Sequence, residues 1–314
     1  MRGKRGAWLR YFIIFITVAV LSLGPAACTT QPGVKVNLES TSSMYVAVEE
    51  LPAEEGLFYF GFDRRLEPKE EVKMYVSFLR YLEKATGYRF RLRITPRNSS
   101  IVDELGTGKV DFAALGSLSY LQAHEKYGVA WVAKGLNHKG HASYRALIVT
   151  RPGSPIRSLK DLRGRTFAFG AVNSTQGHLI PRIMLAEAGL ELRDLRGFGY
   201  LGSHADVANA VISRQYDAGG IQDTLGTSLA DRGLVKVVAI SREFPGSGIA
   251  VRPGVAPEVL ESVKRALLEF DPTGRHRQNL YAWDQTEMPR GFQEEQGEDY
   301  HVMAQWARRI GLLD

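Results

Sequence analysis

Strand and helix signals alternate along most of this chain, and that order limits the fold more than any other feature of its 314 residues. Leu57-Phe58-Tyr59-Phe60-Gly61-Phe62 reads as a strand, and residues 70–86 carry Val72, Tyr75, Val76, Leu79 and Leu82 at helical spacing before a stop at Gly87. Residues 90–94 alternate with Arg89, Arg91 and Arg93, which predicts a strand with one wet face. A short helix is expected over 101–105. Val110 to Gly116 is a near-continuous buried strand, and Ser117 opens a helix towards Tyr127. After Ala146-Leu147-Ile148-Val149 the pattern restarts. A helical turn over 158–165 is followed by strands at 167–169, before Gly202, at 216–221 and at 235–240, and by helices at 180–188, 205–213, 257–270 and 300–310. This order predicts an α/β protein with ligands at the carboxyl ends of its strands. Two similar halves, with a chain that returns to the first, imply two lobes with a cleft between them. Lobe 1 would comprise 44–145 and 241–314, and lobe 2 would comprise 146–240.

The second half contains the stretch with most chemistry, Phe167-Ala168-Phe169-Gly170-Ala171-Val172-Asn173-Ser174-Thr175-Gln176-Gly177. It is a buried strand running into a loop of hydroxyl, amide and glycine residues at the start of a helix. The first backbone N–H groups of a helix have no intrahelical partner and lie at the positive end of its dipole, so an oxyanion there receives several donors. Ser174 and Thr175 can add hydroxyls, and Gly177 lets the backbone approach closely. The commoner use of a Ser-Thr pair at this place is a helix N-cap, and both readings stand on these residues alone.

Composition narrows the class. With 44% hydrophobic and 24% charged residues, the chain has material for two globular domains. Its net charge of +6 is spread out with no basic run of five or six, so nucleic acid is not expected as a partner, and a general preference for anions is. At the N-terminus Arg2, Lys4, Arg5 and Arg10 precede an apolar run over 11–23, and small residues lead to the single cysteine, Cys28. That is an export signal, residues 1–27, and the run is short for a spanning helix. Cys28 after Ala26-Ala27 resembles the acylated cysteine of bacterial lipoproteins. Pro25 stands where that class has leucine, which leaves ordinary signal cleavage or an uncleaved anchor as alternatives. Residues 28–43 are polar and aperiodic and read as a tether. The expected location is the periplasm or the cell surface, with the membrane held by lipidated Cys28.

The order of five motifs then carries a resemblance: Leu159-Lys160-Asp161-Leu162-Arg163-Gly164, Phe167 to Gly170, Asn173 to Gly177 with Pro181, Gly202-Ser203-His204-Ala205, and Tyr216-Asp217-Ala218-Gly219. Together with Gly108 to Gly116, Ser119 and Tyr120, they resemble the phosphonate, phosphite and phosphate-binding proteins of bacterial ABC importers, over about residues 56–312. The resemblance implies a type II periplasmic-binding fold, each lobe a mixed sheet flanked by helices, closing on a ligand in the interlobe cleft. It implies phosphonate oxygens held by Ser174, Thr175, Gln176 and Gly177, with Gln176 in place of a serine and its amide as a further donor. A protonated His204 and Tyr120 complete the expected oxyanion site. A second aromatic wall of the family would fall at Asn98, and Gln222, Asp223 and Thr224 are candidates for contact with the substituent. The implied partner is a membrane permease, served by a monomer without cofactor or metal. A sensor of the same fold, reporting to a membrane kinase or other receptor, is the alternative.

No catalysis is expected. Ser174, His204 and Asp217 could be imagined as a hydrolase triad, but no Gly-x-Ser-x-Gly elbow is present. His138 and His141 lack a carboxylate or cysteine cluster beside them and read as surface residues.

Overall fold

The computed structural model describes residues 56–65, 68–96, 99–297 and 300–314. The expected signal segment, the tether, Cys28 and Asn98 lie outside the described residues. The chain runs through β1 (Leu57–Phe62), α1 (Pro68–Thr86), β2 (Arg89–Leu92), α2 (Ile101–Gly106), β3 (Phe112–Leu115), α3 (Ser117–Tyr127) and β4 (Ala130–Gly135). A short strand, β5 (Ser143–Tyr144), leads to β6 (Ala146–Thr150), β7 (Thr166–Phe169), α4 (Ile180–Glu187), β8 (Gly197–Tyr200), α5 (His204–Ile212), β9 (Ala218–Gln222), α6 (Asp223–Asp231) and β10 (Lys236–Ile240). The chain then passes through β11 (Phe244–Pro245) to β12 (Gly248–Val251), α7 (Pro257–Leu268), β13 (Phe292–Gln293) and α8 (His301–Arg309).

Two mixed sheets result. One has the order β13-β4-β12-β3-β1-β2, with β1 parallel to β2 and β3 and with β12 antiparallel to β3 and β4. The other has the order β10-β6-β9-β7-β8, with β7 parallel to β8 and β9 and with β6 antiparallel to β9 and β10. β5 and β11, the outgoing and returning segments, pair with each other, Phe244 opposite Tyr144 and Pro245 opposite Ser143.

Local sequence explains most of these elements. α1 has Glu70 and Glu71 in its first turn and Lys84 in its last, matching the helix dipole, and it ends at Gly87 in the left-handed region. Its apolar stripe buries Tyr75, Phe78, Leu79 and Leu82 against Phe60 and Trp283, with Phe78 stacked on Trp283 at 4.7 Å. In the second sheet Gly220 lets Pro181 of α4 lie on β9, because a Cβ there would stand 2.5 Å from the Pro181 ring. Among the described residues no helix is long and apolar enough to cross a membrane.

Candidate functional site

β7 ends at Phe169, and beyond Gly170 the chain turns into a π-helical turn, Thr175–Leu179, that leads directly into α4. Two glycines let the turn fold back onto the strand end. A Cβ on Gly177 would stand 2.9 Å from the Gly170 Cα, and the Gly170 N–H donates to the Gly177 carbonyl at 2.8 Å. Ser174 is the cap of this turn, its Oγ accepting the Gly177 N–H at 2.9 Å. The cap reading therefore holds for Ser174. The Gly177 N–H is used within the protein, and Thr175 and Gln176 hold the first-turn N–H groups, which lack an intrahelical partner.

The other residues of the turn have roles that differ from the expectation. The Thr175 hydroxyl accepts the Leu118 N–H at 2.9 Å, joining the turn to the start of α3 on the opposite side of the cleft. Gln176 is 2% exposed. Its Nε2 donates to the Arg145 carbonyl at 2.8 Å and to Asp223 Oδ1 at 3.3 Å, so the amide nitrogen that was expected to reach a ligand is already taken. The end left without a partner is Oε1. Asp223 also accepts the Arg145 N–H at 3.2 Å, so it stands behind Gln176 as its brace.

His204 opens α5, whose N-cap Ser203 accepts the Asp206 N–H. The imidazole is 4% exposed, lies against Gly177, and leaves Nδ1 without a partner. Burial, helped by the positive charge of Arg65, holds its pKa down at about 4. His204 is thus neutral near pH 7, which corrects the expectation of an imidazolium. The cation that lies at this place is Arg65, just beyond the carboxyl end of β1. Its Nη1 pairs with Glu287 at 3.0 Å, and its Nη2 lies 3.8 Å from Asp63 and has no hydrogen-bond partner. Asp63 accepts the Gly116 N–H at 2.8 Å and the Ser119 hydroxyl at 2.9 Å, while Glu287 accepts the Ser247 hydroxyl. Burial raises the pKa of both carboxyls.

These groups enclose a cavity of about 40 Å³ lined by Asp63, Arg65, Tyr144, the 173–176 turn, His204 and Glu287. That is room for about three water centres, the scale of a tetrahedral oxyanion. It adjoins a wider recess of about 590 Å³, walled by Thr95, Ser100, Asn173, Ser203 and Asp206. Tyr120 is not at the cavity. Its ring stacks on Trp131 at 4.0 Å and on His124 at 5.5 Å within the core, because the fourth residue of α3 faces the sheet. Asp217 is likewise elsewhere, its carboxylate accepting the Thr166 N–H and hydroxyl, so no triad forms. Among the described residues no group of three or more His, Cys, Asp or Glu side chains is placed to hold a metal ion.

Arg65, Asp63 and Glu287 were not among the candidates read from the sequence. The rule that ligands sit at the carboxyl ends of strands points to Phe62-Asp63-Arg64-Arg65, directly after β1. Nothing in the local pattern marks Glu287, which reaches the site from a return segment far along the chain.

His204 and His178 give the empty protein a pH signature. His178 is also buried, with a pKa lowered to about 4, its Nδ1 on the Val172 carbonyl and its Nε2 on the Tyr200 hydroxyl. The unfolded chain protonates these rings near pH 6.5, but the folded chain does so only near 4. Their contribution to stability is therefore complete above pH 6.5 and is lost as pH falls from there to about 4. Unfolding midpoints measured across this range should drop, and His178→Phe should flatten the drop. A midpoint that does not change from pH 7 to pH 4 in the wild type would contradict neutral, buried histidines.

A two-lobed α/β chain whose candidate cavity is lined by residues that follow strand ends of both sheets has the fold of the type II periplasmic-binding class. Residues 60–300 match the family described as ABC transporter, phosphonate, periplasmic substrate-binding protein, and the chain belongs to that family. It is 26% identical over 209 residues to the phosphonates-binding periplasmic protein of Escherichia coli, covering 63% of this chain and 62% of that one. It is 27% identical to a phosphate-import protein of Mycolicibacterium smegmatis, covering 60% of this chain and 64% of that one. The match thus spans less than two thirds of the length of these curated relatives. Among solved structures, a Prochlorococcus marinus protein in complex with methylphosphonate superposes with a TM-score of 0.72 at 18% identity, over 82% of this chain and 99% of that one. A binding component of an ABC phosphonate transporter from Pseudomonas aeruginosa gives 0.66 at 21% identity, over 82% and 85%.

Proposed function

We propose that this chain binds a small phosphorus oxyanion, phosphonate first, outside the cytoplasmic membrane and delivers it to an ABC permease, without catalysis. The observation that carries this reading is a cluster of incomplete hydrogen bonding around one oxyanion-sized space. A buried guanidinium nitrogen, a buried imidazole nitrogen and first-turn N–H groups converge on about 40 Å³. An isolated buried charge or polar group costs several kcal/mol, and a tetrahedral oxyanion placed there satisfies the guanidinium and the N–H groups together. Family membership and the resemblance of the fold to a protein solved with methylphosphonate support the same class of ligand. A substituent on phosphorus would extend into the wider recess beside Asn173 and Ser203.

In this reading the described residues from 56 to 145 with those from 241 to 314 form one lobe, 146–240 the other, and the paired β5 and β11 act as the hinge; residues 44–55, which the sequence reading added to the first lobe, lie outside the described residues. Ser174, Thr175, Gln176, Gly177 and His204 form one wall and Arg65 the other. Cys28 carries the lipid anchor, and the chain works as a monomer.

The test is thermal unfolding of the purified chain against phosphate, phosphite, methylphosphonate, aminoethylphosphonate, sulfate and amino acids. A ligand present at one hundred times its dissociation constant stabilises the folded state by about 2.7 kcal/mol, a shift of several degrees. Stabilisation by at least one phosphorus oxyanion is expected. A panel in which only amino acids act would overturn the proposal.

A further inference from the structure

Resting on the proposed function, we infer that the cleft selects a ligand that donates a hydrogen bond as well as accepting several: the proton-bearing form of a phosphorus oxyanion, with Gln176 Oε1 and the carboxylates of Asp63 and Glu287 as the protein's acceptors. Oxyanions that carry no proton at neutral pH, sulfate and the sulfonates, are thereby excluded.

Three observations lead there. The first is the orientation of Gln176. Both contacts of its Nε2 are acceptors, the Arg145 carbonyl and Asp223 Oδ1, so turning the amide over would set oxygen against oxygen twice. The end left without a partner is thus fixed as an acceptor, in a side chain that lines the cavity and is 2% exposed. A buried acceptor requires a donor, and no protein group provides one.

The second is charge. The cavity wall holds one buried cation, Arg65, and two buried carboxyls, Asp63 and Glu287, each at most about an eighth exposed. Arg64 also borders the cavity but is exposed, and water screens it. With both carboxyls ionised, the wall is already negative by one unit before a ligand enters. A fully deprotonated dianion would face both carboxylates with a single guanidinium to offset them. A ligand O–H directed at Gln176 Oε1 or a carboxylate removes one negative charge and satisfies an acceptor in one step.

The third is where the proton can reside. Burial is the largest influence on both Asp63 and Glu287 and raises both, opposed by Arg65. The other titratable groups facing them are Asp223 towards Glu287, Tyr75 towards both, and Tyr144 towards Glu287. His204 faces Arg65 and stays neutral above about pH 4. No group in this set gains a positive charge between neutral and alkaline pH. The complex therefore holds one proton more than its separated parts at high pH, whether that proton is drawn on the ligand oxygen or on the carboxylate it bonds.

Methylphosphonate and methanesulfonate have nearly the same shape and differ in having a proton to share at neutral pH. Isothermal titration of the full chain with each, from about pH 6 to pH 9, tests the inference. Methylphosphonate affinity should fall by about tenfold per pH unit above the ligand's second ionisation, the slope of one linked proton. At neutral pH methanesulfonate should bind at least about 100-fold more weakly, because it leaves buried acceptors facing its oxygens. Asp63→Asn should narrow that ratio by about tenfold or more, since an amide can donate to a sulfonate oxygen. If the two ligands bind within about tenfold of each other, or methylphosphonate affinity does not change with pH, the inference is overturned and the binding function stands. If neither binds and no other phosphorus oxyanion does, the binding function fails, and the inference fails with it.

Discussion

Replacing Arg65 with alanine should abolish ligand binding and destabilise the empty protein at the same time. The guanidinium is the cation paired with buried Glu287 at 3.0 Å, and it is the group with a nitrogen still open towards the cavity. Truncation leaves the Glu287 and Asp63 carboxyls facing each other without their counter-ion, and breaking a buried pair in this way costs about 3–5 kcal/mol. Binding should weaken by at least about 100-fold, equivalent to roughly 2.7 kcal/mol. Denaturant unfolding and calorimetric titration on one preparation separate the two effects. Adding Glu287→Gln to Arg65→Ala should restore much of the stability and none of the binding. If the double variant binds as well as the wild type, Arg65 is not the ligand's cation.

Tyr120→Ala should produce the opposite pattern, a large loss of stability with no specific loss of recognition. The ring is stacked between Trp131 and His124 and is 7% exposed, so its removal opens a cavity in the core, at about 3–5 kcal/mol for an aromatic side chain. Tyr120→Phe keeps the stack and should leave phosphonate affinity unchanged, as measured by titration. A Phe variant that folds normally but loses affinity would return Tyr120 to the site.

The ease with which each element could be read from the sequence follows its physical environment. Strands buried on both faces, such as β3 and β9, announce themselves as apolar runs, and amphipathic helices such as α1 and α7 show their stripe. The strands that escaped notice break those patterns for tertiary reasons. β4 carries Lys134, fully buried, because its ammonium lies over the Trp131 ring at 4.0 Å and donates to the Gly246 carbonyl. β12 opens with Gly248, required there because a Cβ would stand 2.5 Å from the Ala133 carbonyl oxygen. α6 went unread because Asp223 and Thr224 look like loop residues after a strand, whereas Asp223 begins the helix and braces Gln176.

The site was legible on one wall and not on the other. The 173–177 turn and the Gly202-Ser203-His204 helix start are two short motifs whose chemistry is local, with N–H groups at a helix start and glycines at a close approach. Arg65, Asp63 and Glu287 act through partners remote in sequence, and their meaning appears only when the returning chain brings Glu287 beside β1. Local sequence also misassigned two side chains for the same reason. The burial that keeps His204 neutral, with Arg65 adding to it, and the Arg145 and Asp223 groups that capture the Gln176 amide all depend on other elements.

The most direct measurement is calorimetric titration of methylphosphonate into the wild-type chain and into Arg65→Ala near pH 7. Saturable one-to-one binding by the wild type, weakened by at least about 100-fold in the variant, is the expected result. Binding of equal strength by both proteins, or by neither, would contradict a phosphorus-oxyanion site built between Arg65 and the 173–177 turn.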